Sequence, residues 1–66
     1  MIVWINGERR EVEATVTLAT LLADQGVPGR GVAVAVDGEV VPRAGWPGAP
    51  VAADARIEVL TAVQGG

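Results

Sequence analysis

The sequence has no cysteine, no histidine and no lysine. Without cysteine it can form no disulfide and offer no thiolate nucleophile, so cysteine usage says nothing of its redox compartment. Without histidine it lacks the usual general base and the commonest zinc ligand. Without lysine no Schiff base can form and no side chain can accept an isopeptide bond. Aromatics are almost as scarce, Trp4 and Trp46 being the whole complement. The cations are 5 arginines against 8 acids, and a net charge of −3 lacks the basic stripe that nucleic-acid binding requires. No apolar run approaches the ~20 residues of a membrane span. The stretch Met1 to Asn6 lacks the basic segment, apolar stretch and cleavage site of a signal peptide, so a cytoplasmic location is the default expectation.

What is present is aliphatic. Half of the 66 residues are hydrophobic, and with only two indoles the packing must fall to Val, Ala and Leu. A chain of this length makes one domain and buries about 60% of its unfolded surface. Its core is therefore thin and its stability modest.

The order of elements can be read along the chain. Ile2-Val3-Trp4-Ile5 is β-branched and aromatic and runs into Asn6-Gly7, which supplies the two positive-φ positions of a tight hairpin turn. The return strand, Glu8 to Glu13, is mostly charged with Val12 as its apolar anchor, which suits a sheet edge. Thr15 or Thr17 can cap a helix in which Leu18, Leu21 and Leu22 form one stripe, and Gly26 with Pro28 beyond it can end that helix. Val32 to Val36 alternates valine and alanine, Asp37-Gly38 is a second hairpin turn, and Glu39-Val40-Val41 returns. Pro42 to Pro50 is rich in Gly and Pro and is expected to be irregular; Arg56 to Thr61 is the last strand. One helix lying across one mixed sheet of four to five strands buries these residues best. That is an α+β arrangement with the ubiquitin-like β-grasp order. The expected core is Val3, Ile5, Leu18, Leu21, Leu22, Val34, Ile57 and Val59. The domain is expected to span 1–62, with a flexible tail over 63–66.

Chemistry by side chain has little to work with. Glu8, Glu11 and Glu13 share a strand with Arg9 and Arg10, Asp37 is a turn residue, and Glu58 alternates with apolar neighbours. None has a neighbour arrangement that suggests a paired acid and base, so these carboxylates are expected to be solvated surface charge. Gly29-Arg30-Gly31 lacks the Lys-Ser/Thr of a phosphate loop. The main chain offers more, because Gly65-Gly66 follows soon after a strand. Glycine has no Cβ and can pass through a channel too narrow for other residues. From Ala62 to Gly66 the extended chain reaches about 17 Å.

These features resemble the sulfur carriers of thiamine (thiazole) biosynthesis, the ThiS family, over nearly the whole chain. The resemblance rests on Met1-Ile2-Val3 leading to Asn6-Gly7, Thr15-Val16 followed by Leu21-Leu22, and Val41-Pro42-Arg43 with Trp46 three residues on. Ile57-Glu58-Val59-Leu60 and the end Val63-Gln64-Gly65-Gly66 complete it. One departure is Ala53-Asp54-Ala55 where the family often carries Asp-Gly-Asp. Another is the pair Pro47 and Pro50, which stiffens the loop after Trp46.

The resemblance implies a carrier, not an enzyme, that binds no cofactor or metal of its own. A ThiF-like adenylating enzyme would use ATP to activate the Gly66 carboxylate, and a persulfide donor would supply sulfur. The resulting thiocarboxylate would be presented to a ThiG-like thiazole synthase. Gln64 and Gly65 would form the rest of the tail, and the free chain is expected to be a monomer.

Ile2 and Trp4, facing away from Val3 and Ile5, are expected to form with Leu60 an apolar patch that docks a partner. Arg43 either braces a turn or pairs with an acidic partner residue, and Trp46 is expected to cap one end of the core. Other classes stay open: a carrier resembling the small subunit of molybdopterin synthase, a cysteine-forming carrier, a protein modifier, or a noncatalytic ubiquitin-like interaction module.

Overall fold

In the computed structural model, which describes residues 1–61, the first hairpin joins β1 (Ile2–Ile5) to β2 (Glu8–Glu11). Asn6 and Gly7 both take positive φ, 50° and 82°, as a tight turn requires. The return strand stops at Glu11, two residues short of expectation, although the chains stay side by side a little further. There Val12 N–H donates to the Met1 carbonyl at 2.8 Å and the Met1 ammonium to the Val12 carbonyl at 2.7 Å. All four β2 residues are exposed, and β2 is an edge of the sheet.

Thr17, not Thr15, caps helix α1 (Leu18–Asp24), its hydroxyl accepting from Thr20 N–H at 3.3 Å. At the other end Gly26, at φ 76°, donates to the Ala23 carbonyl at 3.0 Å, and Val27 donates to Leu22 at 2.9 Å. Those two crossed bonds are the Schellman closure. Helices under a dozen residues are marginal by themselves, so α1 depends on packing its leucine stripe. Leu18, Leu21 and Leu22 are all buried.

The second hairpin, β3 (Val32–Val36) with β4 (Glu39–Val40), turns through Asp37 and Gly38 at φ 51° and 87°. β5 (Arg56–Thr61) then enters the middle, giving the order β2-β1-β5-β3-β4. It runs parallel to β1, with Trp4 opposite Arg56, and antiparallel to β3, with Val34 opposite Val59. This is one mixed five-stranded sheet with one α-helix, as expected. In the turn before β5, Asp54 takes φ 65°, so an aspartate tolerates here the left-handed conformation that glycine would adopt freely.

Two expectations need correction. Arg43–Gly48 is a 3-10 helix, not irregular chain. It closes with Gly45 N–H on the Pro42 carbonyl and Ala49 N–H on the Trp46 carbonyl, donors on either side of Pro47. This winding turns Trp46 into the core, which also gains Val51 and Ala55. Of the expected core, Val3, Leu18, Leu21, Leu22, Val34 and Ile57 are fully covered, whereas Ile5 and Val59 are only half-buried. A seven-residue helix spans about 10 Å and cannot roof the whole sheet. Past its end, Ile5 and Val59 line a shallow groove beside Gln25 and Val27.

Domains this small rarely hold more than about 3–5 kcal/mol of net stability, and a buried Leu→Ala change costs about 2–5 kcal/mol. Leu21→Ala is therefore expected to leave most molecules unfolded at room temperature, whereas Thr17→Ala should cost only about 1 kcal/mol. Urea titration followed by tryptophan fluorescence measures both.

Candidate functional site

The sheet has two faces with different duties. On the inner face, the leucines of α1 cover Val3, Val34 and Ile57, while Val36 and Val59 on the same face are half-buried. On the outer face the register sets out rows of side chains. Arg9, Trp4 and Arg56 lie abreast on β2, β1 and β5; Glu58, Ala35 and Val40 make the next row on β5, β3 and β4; Leu60 and Ala33 make the last.

This register divides the patch expected from Ile2, Trp4 and Leu60. Trp4 stands opposite Arg56, four residues before Leu60, which separates them by about 13 Å along the strand. Ile2 lies further still and is half-buried. Leu60 on β5 and Val40 on β4 are 69% and 71% exposed, Leu60 in the row of Ala33 and Val40 in the preceding row with Glu58 and Ala35. Between them β3 presents only Ala33 and Ala35, so two large side chains flank a floor of small ones. Trp4, 37% exposed, stands apart between the Arg9 and Arg56 rungs. A groove of about 700 Å³ adjoins Trp4, between the two hairpin turns, at the start of β5. It lies at the end of that strand away from Thr61.

Val40 had a signal that the sequence reading passed over. A two-residue Asp37-Gly38 turn puts Val36 against Glu39 and Ala35 against Val40. The alternation of β3 places Ala35 outside, and Val40 must follow it there.

Arg43 and Trp46 lie on the other side of the molecule, where the 3-10 helix packs against α1. The Arg43 guanidinium donates from Nη1 to the Gly29 carbonyl at 2.9 Å, which braces the loop before β3. Trp46 is 6% exposed, and its Nε1–H donates to the Val41 carbonyl at 2.9 Å. Both are used structurally.

The sheet delivers its central strand toward the C-terminus. β5 is held by β1 on one side and β3 on the other, and the pairing with β3 continues to Thr61 opposite Val32. Gln64, Gly65 and Gly66, expected to form the working tail, lie outside the described residues, as do Ala62 and Val63. Among the described residues no group of three or more His, Cys, Asp or Glu is placed to hold a metal ion, and no helix is long and apolar enough to cross a membrane. The ion pair there is Arg10 to Glu8 at 2.6 Å, exposed on the edge strand.

The ThiS family model matches residues 3–66. This chain belongs to the ThiS family. The β-grasp of ThiS is also where the solved structures lead. The crystal structure of the thiamine biosynthesis protein ThiS from Geobacter metallireducens superposes with a TM-score of 0.84 at 26% identity, covering all of both chains. The solution structure of a thiamine biosynthesis protein from the same organism gives 0.78 at 26% identity, covering all of this chain and 88% of that one. No curated protein matches in sequence. Side-chain chemistry is sparse in this ThiS chain, which has no His, Cys or Lys.

Trp46→Phe is expected to keep the fold but lose the indole bond to Val41, leaving that carbonyl short of a partner. The expected cost is about 1–3 kcal/mol, read as a lowered denaturation midpoint with an unchanged slope.

Proposed function

We propose that this chain is a sulfur carrier whose Gly66 carboxylate is adenylated, converted to a thiocarboxylate, and used to donate sulfur for thiazole formation. The observation that carries the proposal is a family match running to residue 66, which includes a Gly65-Gly66 end in a chain without His, Cys or Lys.

A carboxylate is a poor electrophile because its charge is shared over two oxygens. In a ThiF-like enzyme, one Gly66 carboxylate oxygen attacks the α-phosphorus of ATP, and pyrophosphate leaves. The terminal sulfur of a partner's persulfide then attacks the acyl carbon and AMP departs. A second thiol reduces the resulting acyl disulfide and releases the thiocarboxylate. Those partners stabilise the developing charge and exclude water. This chain contributes position: a tail ending in two glycines fits a narrow channel, and a folded sheet gives the partner something to grip. A ThiG-like synthase would receive the sulfur by the same tail. Such a protein is a co-substrate of its partners, works as a monomer in the cytoplasm, and needs no bound cofactor.

For docking, the outer face around Leu60 is the better suited. Leu60 and Val40 stand exposed on either side of Ala33 and Ala35, and large aliphatic side chains around a shallow floor suit an interface core. Trp4 and Ile2 would serve as a second, separate contact. Arg43 would remain a brace.

Removing Gly66, or adding one residue after it, is expected to abolish sulfur loading with the fold intact. Mass spectrometry of the chain incubated with ATP, the adenylating enzyme and a persulfide donor reads this directly. The intact chain should gain the mass difference between sulfur and oxygen. Ladders on other proteins would mean a modifier instead, and an unchanged mass an inert module. Product identity, thiazole against a molybdopterin dithiolene or cysteine, separates the pathways. Leu60→Glu should weaken partner binding at least about tenfold, or ~1.4 kcal/mol, while Arg43→Ala should leave it unchanged in a titration calorimeter.

A further inference from the structure

The two hairpin turns do more than reverse the chain. Asn6 sits at φ 50°, which the turn explains, but its side chain is occupied elsewhere. Its Nδ2 donates to the Val59 carbonyl at 3.2 Å, and its Oδ1 accepts from Val59 N–H at 2.8 Å. Asn6 and Val59 are 53 residues apart in sequence, so this is a tertiary contact and not local turn chemistry.

The position of the contact gives it meaning. The parallel ladder between β1 and β5 places Trp4 N–H on the Ala55 carbonyl at 2.9 Å and Asn6 N–H on the Ile57 carbonyl at 2.8 Å. A parallel ladder advances two residues at each step. Its next step would bring the Asn6 carbonyl to Val59 N–H and the Glu8 N–H to the Val59 carbonyl. The main chain has already turned away, because β1 ends at Ile5 and the hairpin begins. The side-chain amide of Asn6 supplies both missing groups, an acceptor and a donor. It stands in for one more rung of strand.

Asp37 performs a related task at the other end of β5 and on its other side. Its Oδ1 accepts from Arg56 N–H at 3.0 Å, while its own N–H donates to the Arg56 carbonyl at 2.8 Å. Two left-handed turn residues therefore clamp β5, Asp37 on its β3 side at Arg56 and Asn6 on its β1 side at Val59, beyond which β3 alone pairs the strand to Thr61.

We infer that Asn6 is a positioning residue for the reactive end: its amide prolongs the two-sided hold on β5 from Ile57 to Val59 and so steadies the strand that leads to Gly66. The inference rests on the carrier reading above. Reactions gain when the approach of the reacting group is restricted.

The test uses Asn6→Gly, which tolerates φ 50° and keeps the turn while deleting the rung. Asn6→Asp keeps the acceptor for Val59 N–H and the turn, but loses the donor. Asp37→Gly is the control, since it loosens β5 only at Arg56. Amide exchange by NMR reports the hold without reference to activity. In Asn6→Gly the Val59 amide should exchange at least about tenfold faster, with Val34 and Ile57 little changed. In Asn6→Asp most of the protection should remain. Adenylation of the tail, followed by pyrophosphate release with ATP and the ThiF-like enzyme, should fall about tenfold in kcat/KM for Asn6→Gly and stay near the parent value for Asp37→Gly.

Unchanged exchange at Val59 in Asn6→Gly would overturn the inference, and so would faster exchange with unaltered adenylation. An equal loss of adenylation in Asp37→Gly would also overturn it, because any loosening of the strand would then suffice. If the parent chain is never adenylated, the carrier reading fails; the exchange data still decide whether Asn6 holds β5.

Discussion

The packing of one short leucine stripe against one sheet face governs this molecule. α1 is too short to persist alone, and the sheet has no aromatic on its inner face to compensate for a poor fit. Leu18, Leu21 and Leu22 must therefore meet Val3, Val34 and Ile57 closely. Both ends of the helix are fixed so that this can happen, Thr17 at the start and the Gly26 closure at the finish. With the two hairpins on either side of the helix, the remaining apolar strand completes the core by lying between them. That is why the last strand in sequence is the central strand in space.

The central strand is held on both sides by pairing to Ile57 and with the Asn6 amide to Val59, and by β3 alone to Thr61. The inner face is committed to the core, so the outer face of the sheet is the one left open. There the small residues of β3 leave Leu60 and Val40 standing. The only polar side chains with long-range main-chain bonds on β5 are the two hairpin residues, Asn6 and Asp37, among the described residues. Both hairpin turns thereby also hold the central strand.

Much of the fold was legible because the signals are local and mutually consistent. Asn6-Gly7 and Asp37-Gly38 each demand positive φ at adjacent positions, and Leu18, Leu21 and Leu22 have only one helical face to share. Where expectation failed, a tertiary contact had intervened. Pro42 to Pro50 looks structureless in sequence, yet burying the Trp46 ring and satisfying its Nε1–H on Val41 winds it into a 3-10 helix. Ile5 and Val59 alternate correctly for the core, but the helix stops short of them. Ile2, Trp4 and Leu60 were rightly assigned to one face, and parity along a strand reveals a face but not a distance.

The sequence alone determined the two hairpin turns, the leucine helix and the succession of strands, because turn dipeptides and periodicity are properties of neighbours along the chain. The lack of His, Cys and Lys narrows its side-chain chemistry in the same way. Register and stagger between strands were decided only in three dimensions, since they depend on how far one strand slides past another before the helix covers both. Thus the separation of Leu60 from Trp4, its place opposite Ala33, and the reach of the Asn6 amide to Val59 belong to the tertiary structure. Each joins residues whose proximity no local pattern encodes.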